Sequence, residues 1–145
     1  MNIRERNHGD DLVLADIWLR SVRATHTFLT EQDIDALYPQ VLNVYLPAVR
    51  VWVCEDEDGE IAGFIGLDGN KVQMLFVDAS KRGRGAGRRL LNFARSLHGS
   101  LLVDVNEQNS QAHGFYLHYG FVDVGRSERD AAGRPFPVLH MRLPG

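Results

Sequence analysis

The stretch Val77-Asp78-Ala79-Ser80-Lys81-Arg82-Gly83-Arg84-Gly85-Ala86-Gly87-Arg88-Arg89-Leu90-Leu91 reads as a strand end, a glycine-rich turn and a helix N-terminus in succession. Before it, Lys71 to Val77 places valine, methionine and phenylalanine at 72, 74 and 76, the period of a half-buried strand. After it, Leu90, Phe93, Ala94 and Leu97 recur at helical spacing. The glycines therefore stand where the chain turns from extended to helical. There the first N–H groups of the helix lack intrahelical partners, and the helix dipole adds partial positive charge. With no Cβ in the way an anion reaches those amides, and Arg82, Arg84 and Arg88 add charge suited to a pyrophosphate.

Three phosphate-binding patterns compete for this loop. A P-loop closes on lysine followed by serine or threonine, which is absent here, so hydrolysis of ATP or GTP is disfavoured. A dinucleotide fingerprint needs G-x-G-x-x-G. Gly83-x-Gly85 leads to Arg88 and Gly85-x-Gly87 leads to Leu90, and only Asp104, near the ribose-acid spacing, speaks for NAD. Arg82 to Gly87 does match R-x-x-G-x-G. Downstream, past an expected buried strand at Leu101 to Val105, Asn109-Ser110-Gln111-Ala112-His113-Gly114-Phe115-Tyr116-Leu117-His118-Tyr119-Gly120-Phe121 reads as a capped helix ending at glycine, with Ala112, Phe115, Tyr116 and Tyr119 on neighbouring faces. It matches N-x-x-A-x-x-F-Y-x-x-x-G-F. These two patterns, in this order, resemble the acetyl-coenzyme A motifs of the GNAT N-acetyltransferase superfamily. The resemblance covers Lys71 to Phe121 firmly and the whole chain loosely.

Composition sets the bounds. A chain of 145 residues, 44% hydrophobic, suits a single domain spanning 1–145 around one core. A net charge of −3 gives no general pull toward nucleic acid or an anionic membrane, and the arginine cluster is local. The lone Cys54, in Val51-Trp52-Val53-Cys54, excludes an internal disulfide and reads as a buried structural thiol. With no leader or long apolar run, the expected location is the cytoplasm. None of the six histidines forms a metal pair: His113 and His118 are five apart, off the i, i+4 face, so no metal is expected.

Elsewhere the pattern predicts a first strand over Asn2 to Glu5. A helix from Asp10 or Asp11 to about Thr25 follows, with core positions Val13, Leu14, Ile17, Trp18 and Val22. Thr30-Glu31-Gln32-Asp33 has the form of a capping box, opening a helix through Ile34, Leu37 and Val41 that Pro39 kinks and Pro47 must follow. Val51 to Glu55 and Ile61 to Leu67 form a hairpin about Asp56-Glu57-Asp58-Gly59, whose acidic run reads as a solvated loop. Lys71 to Val77 adds a third consecutive strand, which argues again against a dinucleotide domain. Phe121 to Gly125 and Pro137 to Leu143 close the chain as a second hairpin.

The GNAT resemblance implies an α/β (α+β) fold: a mixed, mostly antiparallel sheet of six or seven strands with helices on both faces, split by a cofactor cleft near Val77. It implies that Leu75, Phe76 and Val77 pair with the pantetheine arm of acetyl-CoA. The amides of Arg82, Gly83, Arg84, Gly85, Ala86, Gly87 and Arg88 would hold the pyrophosphate, and Asn109 and Tyr116 would adjoin the cofactor. Tyr116 matches the family tyrosine that protonates the departing thiolate. Many members carry a glutamate on the strand equivalent to Lys71 to Val77, where this chain has Gln73. The base is therefore open among His26, Asp104, Glu107, His140 and ordered water. Ala24 to Leu29 and Val105 to Asn109 resemble a small bacterial YjaB-type subgroup, which places His26 as catalytic or substrate-binding and Phe28 on the acceptor pocket. The resemblance thus implies direct acetyl transfer from acetyl-CoA to an amine on a small molecule, a peptide N-terminus or a protein lysine. The alternative is a module that senses acyl-CoA without chemistry. Partners beyond coenzyme and acceptor are not expected, and both monomer and homodimer suit the exposed C-terminal strands.

Overall fold

The computed structural model describes residues 1–25 and 29–145, so the expectations for His26 and Phe28 lie outside the described residues. Strand β1 (Asn2–Glu5) leads through a single turn, His8–Asp10, into α1 (Asp11–Thr25). The turn is held by Asp10, whose carboxylate accepts from the Asn7 N–H and from Arg4. The Thr30 box forms as expected: Thr30 Oγ1 accepts from Asp33 N–H, and the Asp33 carboxylate accepts from Thr30 N–H, starting α2 (Glu31–Gln40). Pro39 does not stop this helix. Lacking an N–H, it breaks the i→i−4 ladder, and the path widens into a π turn at Val41–Tyr45 before α3 (Leu46–Ala48). Pro47 consequently lies inside this continuing helical run, in α3, rather than beyond it. On α1, Val13 is 45% exposed, and Ala15 and Ser21 take the buried positions beside Leu14, Ile17, Trp18 and Val22.

The remaining elements are β2 (Arg50–Glu55), β3 (Ile61–Asp68), β4 (Lys71–Val77), α4 (Ala86–His98), β5 (Leu101–Asn106), α5 (Ser110–Tyr119), β6 (Val122–Ser127) and β7 (Val138–Leu143). They make one seven-stranded sheet in the order β1-β2-β3-β4-β5-β7-β6, antiparallel except for β4 against β5. The middle of the sheet is covered on both faces. Trp52 and Ile65 pack with Leu90, Leu91 and Ala94 of α4, whereas Val51, Val53 and Phe64 pack with Leu14, Ile17 and Trp18 of α1 and Ile34 of α2. Cys54 is fully buried in the α4 layer, and burial pushes its thiol up, away from reactivity. Leu91, not the half-exposed Leu97, completes the apolar stripe of α4.

Two departures matter for function. The register of β3 with β4 runs Gly66↔Met74 and then Leu67↔Val72, which leaves Gln73 as an extra residue on β4. This bulge reverses the side-chain facing: Val72 joins the α4 layer, while Met74 and Phe76 join the α1 layer, against the single face that their spacing predicts. A bulge also bends and twists its strand. The parallel pairing with β5 is matched only at Lys71↔Leu102 and Val72↔Val103, so the sheet splits from Gln73 onward rather than at Val77. Strand β5 alternates instead of being wholly buried, with Leu102 and Asp104 on the face away from α4.

Candidate active site

The split opens onto a cavity of about 440 Å³ between β4, α5 and the start of α4. Leu75, Phe76 and Val77 line one wall, with β3 paired along their other side. At the far end the loop turns through Gly83 (φ 77°) and Gly85 (φ 84°, ψ 11°), left-handed positions where a side chain is strained. Gly85 is the helix cap and brings no side chain to it. The first intrahelical bond runs from Arg89 N–H to Gly85 C=O (3.0 Å), so the N–H groups of Ala86, Gly87 and Arg88 have no partner within the helix. Those residues line the cavity together with Arg82. A phosphate anion fits this uncapped helix end on two counts: unsatisfied donors and the positive end of the helix dipole.

Each glycine has its own reason. A Cβ on Gly83 would meet nothing within 4 Å, whereas one on Gly87 would come within 3.2 Å of Phe115 Cζ, so Gly87 is needed for α5 to close on α4. Arg84 departs from expectation. It lines a separate hollow with Met1, Asp56 and Asp58 rather than the main cavity. Nor is the hairpin acid at 56 merely solvated: Lys81 pairs with the Asp56 carboxylate and, with the Asp58 and Glu60 N–H groups, holds it below its ordinary range.

The loop is anchored by Asp78, a buried carboxylate that sequence reading passed over. It accepts Arg20 of α1 through two nitrogens (2.8 and 3.2 Å) and the Ser80 N–H (3.2 Å). These partners, Arg20 foremost, hold it below the ordinary carboxylate range despite burial. The pair spans 58 residues of chain, and no local pattern announces it.

Asn109 caps α5, its Oδ1 accepting from Ala112 N–H (3.1 Å), and lines the cavity beside Gln111, Ala112 and Phe115. Tyr116 is 7% exposed, its ring fixed edge-on between Phe115 and Phe121 at 5.4 and 5.2 Å. Burial pushes its phenol well above its ordinary value, which keeps it protonated at neutral pH in the resting site. Ser21 and Thr25 of α1 complete the lining. Helical spacing could have flagged Ala112, four residues before Tyr116, and the Gln111–Phe115 pair beside it; nothing local could have flagged Ser21 and Thr25.

A second cavity of about 110 Å³ lies in the split itself, sharing Leu75, Phe76, Asn109 and Tyr116 with the first and adding Gln73 and Asp104. Asp104 bonds Lys71 Nζ (2.8 Å) and His140 Nδ1 (2.7 Å). Burial pushes its carboxylate up, but those two partners outweigh burial and hold it low. Glu107 pairs with Arg126 (2.6 Å) and lines neither cavity. Among the described residues no group of three or more metal-ligating side chains is assembled, and no helix is long and apolar enough to cross a membrane.

The fold is shared with known proteins. Residues 20–143 match the acetyltransferase (GNAT) domain. The chain belongs to the GNAT acetyltransferase family. It is 40% identical over 144 residues to the peptidyl-lysine N-acetyltransferase YjaB of Salmonella typhimurium, covering 99% of each chain. The solution structure of apo YjaB from Escherichia coli superposes with a TM-score of 0.91 at 41% identity, covering 99% of this chain and 97% of that one. The PaiA N-acetyltransferase of Thermoplasma acidophilum, solved with coenzyme A, shares the fold at 20% identity, with a TM-score of 0.76 and full coverage of both chains. This GNAT chain is an N-acetyltransferase, and its family's reaction carries an acetyl group from acetyl-CoA to an amine.

Proposed function

We propose that this GNAT enzyme acetylates lysine side chains of proteins, holding acetyl-CoA in the split between β4 and β5. The observation that carries the reading is the continuity of the cleft, from the uncapped amides of Ala86 to Arg88, along Leu75 to Val77, to Tyr116. The amides and Arg82 and Arg88 take the pyrophosphate, and the free side of β4 pairs with the pantetheine as a further strand would. Arg84, turned to the neighbouring hollow, contributes charge at longer range. Lysine as the acceptor is supported by the YjaB relatives, which are named as peptidyl-lysine enzymes.

In this reading a backbone N–H of β4 stabilises the oxyanion as the amine attacks. Tyr116, protonated in the resting site, gives its proton to the leaving thiolate and regains one from solvent before the next turnover. Even at ordinary values, about 10 against about 8.5, a phenol is a weaker acid than a thiol, and burial widens the gap here, so the transfer relies on close placement and on a thiolate stripped of water. Transfer is direct, needs no metal, and takes place in the cytoplasm. The test is calorimetric titration with acetyl-CoA, with NAD and ATP as controls, followed by release of free thiol on adding a lysine peptide. Selective coenzyme binding with amine-dependent thiol release is expected. Binding without any amine-stimulated release would make the protein an acyl-CoA sensor, and preference for NAD would overturn the reading.

A further inference from the structure

A further cavity, of about 550 Å³, lies on the α1 face of the sheet and is larger than the main one. Two irregular pieces of backbone wall it. The π turn after Pro39 brings Val41 and Tyr45 to it, and the bulged β4 brings Gln73, Met74 and Phe76. A bulge re-aims the side chains of its strand, and π turns within helices are frequent at functional sites. Trp18 of α1 adds to walls that are almost wholly apolar, and Asp68 is the one carboxylate among the described lining residues. The Gln73 amide and the Asp68 carboxylate, both on exposed residues, have no hydrogen-bond or ion-pair partner among the described residues. The cavity meets the split at Gln73, Met74 and Phe76, which line both. Its described lining takes nothing from the glycine loop, α4 or α5, the elements that hold the coenzyme in the reading above. It is therefore left open when acetyl-CoA fills the split.

We propose that this cavity selects the acceptor: it receives a large apolar side chain two residues away from the lysine that is acetylated, on an extended peptide crossing the mouth of the split. The inference rests on the lysine-acetylation reading above and deepens it to the acceptor's sequence. A lysine side chain by itself does not match such walls, because it is an unbranched stem with a strongly hydrated charge at its tip. An apolar side chain does, and leaving water for the cavity favours its binding. The volume lies within the range of ligand sites, about 300–1,000 Å³. Spacing sets the position of that side chain. Gln73 and Leu75 are two residues apart on β4, about 6.6 Å along a strand. A peptide that delivers its lysine beside Leu75 and Tyr116 thus carries the residue two positions away over the cavity. Residues at that spacing share one face of an extended chain, and the immediate neighbours face the other way. Asp68 supplies the complementary charge: a lysine peptide is cationic, and a carboxylate without a partner of its own draws it toward the cavity.

The test compares kcat/KM, at saturating acetyl-CoA, for blocked peptides with a single lysine. One has glycine around the lysine, and the others carry leucine two residues before it, two residues after it, or directly beside it. Leucine at one of the two-residue positions should raise kcat/KM by about 10-fold or more, the discrimination that a fitting apolar pocket achieves. Leucine directly beside the lysine should change it little. Ala48→Phe, which fills the cavity from an exposed helix end, should bring the leucine and glycine peptides to the same kcat/KM, with acetyl-CoA affinity by calorimetry within a few-fold of wild type.

Equal kcat/KM for all peptides, a gain only for the directly adjacent leucine, or a leucine preference that survives Ala48→Phe would overturn the proposal. So would a kcat/KM for phenethylamine above that of every lysine peptide, which would give the cavity to a small apolar amine. Failure of the acetylation reading looks different: acetyl-CoA does not bind, or it binds and no peptide or amine releases thiol, and both ideas fall together. Equal thiol release from every peptide removes the selectivity alone. If Ala48→Phe does not fold, Ala131→Leu, on the loop before β7, narrows the same cavity and decides.

Discussion

The two ends of the split are built in opposite ways. At the α4 end a single run, Gly83 to Arg88, supplies turn, cap and orphan amides from consecutive backbone. At the other end Lys71, Asp104, Ser127 and His140 come from four strands and are joined by side-chain hydrogen bonds. Backbone sites of the first kind are nearly self-sufficient, because helix geometry alone aims the donors. Side-chain sites of the second kind exist only when the sheet registers bring them together.

The strongest challenge to this contrast is Tyr116→Phe, which touches neither construction. Removing the hydroxyl should slow single-turnover transfer by about 100-fold or more while coenzyme affinity stays within a few-fold. An unchanged chemical step would return Tyr116 to a packing role. Next comes Gly85→Val, at the backbone-built end. A branched side chain at φ 84° is strained and crowds the amides, so calorimetry should show acetyl-CoA affinity falling by about 10-fold or more, with about 1–3 kcal/mol of stability lost in denaturant. Wild-type affinity would mean that the helix end does not hold the phosphates.

Asp78→Asn sharpens the comparison by asking whether the loop is as independent as it looks. The change should cost about 1–2 kcal/mol by urea melts at pH 7, discounted because Arg20 is half exposed. Asp78 is held below its unfolded value, so its contribution is fully present above the unfolded carboxylate range, about pH 3.9. It is lost as pH falls through the folded value, and the gap between wild type and variant should therefore close below about pH 4. A gap that persists into acid would assign the effect to packing. The smallest effect is expected for Lys71→Met. It breaks a partly exposed pair beside the split, and thermal melts should change by about 0.5 kcal/mol. A loss several times larger would show that the pair, not the bulge, holds β4 and β5 at their junction.

Legibility in the sequence followed the same division. The strand, glycine turn and helix around Gly85, the Thr30 capping box and the Asn109 cap are short-range hydrogen-bonding devices, and each forms where its residues predict. The departures come from longer range. Val13 fits the apolar period of α1 but stays half exposed, and the helical path runs on past Pro39 through the buried Val41 and Leu46. Arg84 belongs to the glycine loop by spacing, yet the left-handed turns at Gly83 and Gly85 send it to the hollow near Asp56.

By itself, then, the chain's local order determined the anion-binding helix end, the position of Tyr116 on its helix and the family, since those depend on backbone geometry over a few residues. Only the tertiary structure decided where the sheet splits, because Gln73 becomes an extra residue only against the register of β3. It alone joined Arg20 to Asp78 and Asp104 to His140 and Ser127, pairings that no spacing encodes and that arise when distant strands and helices pack.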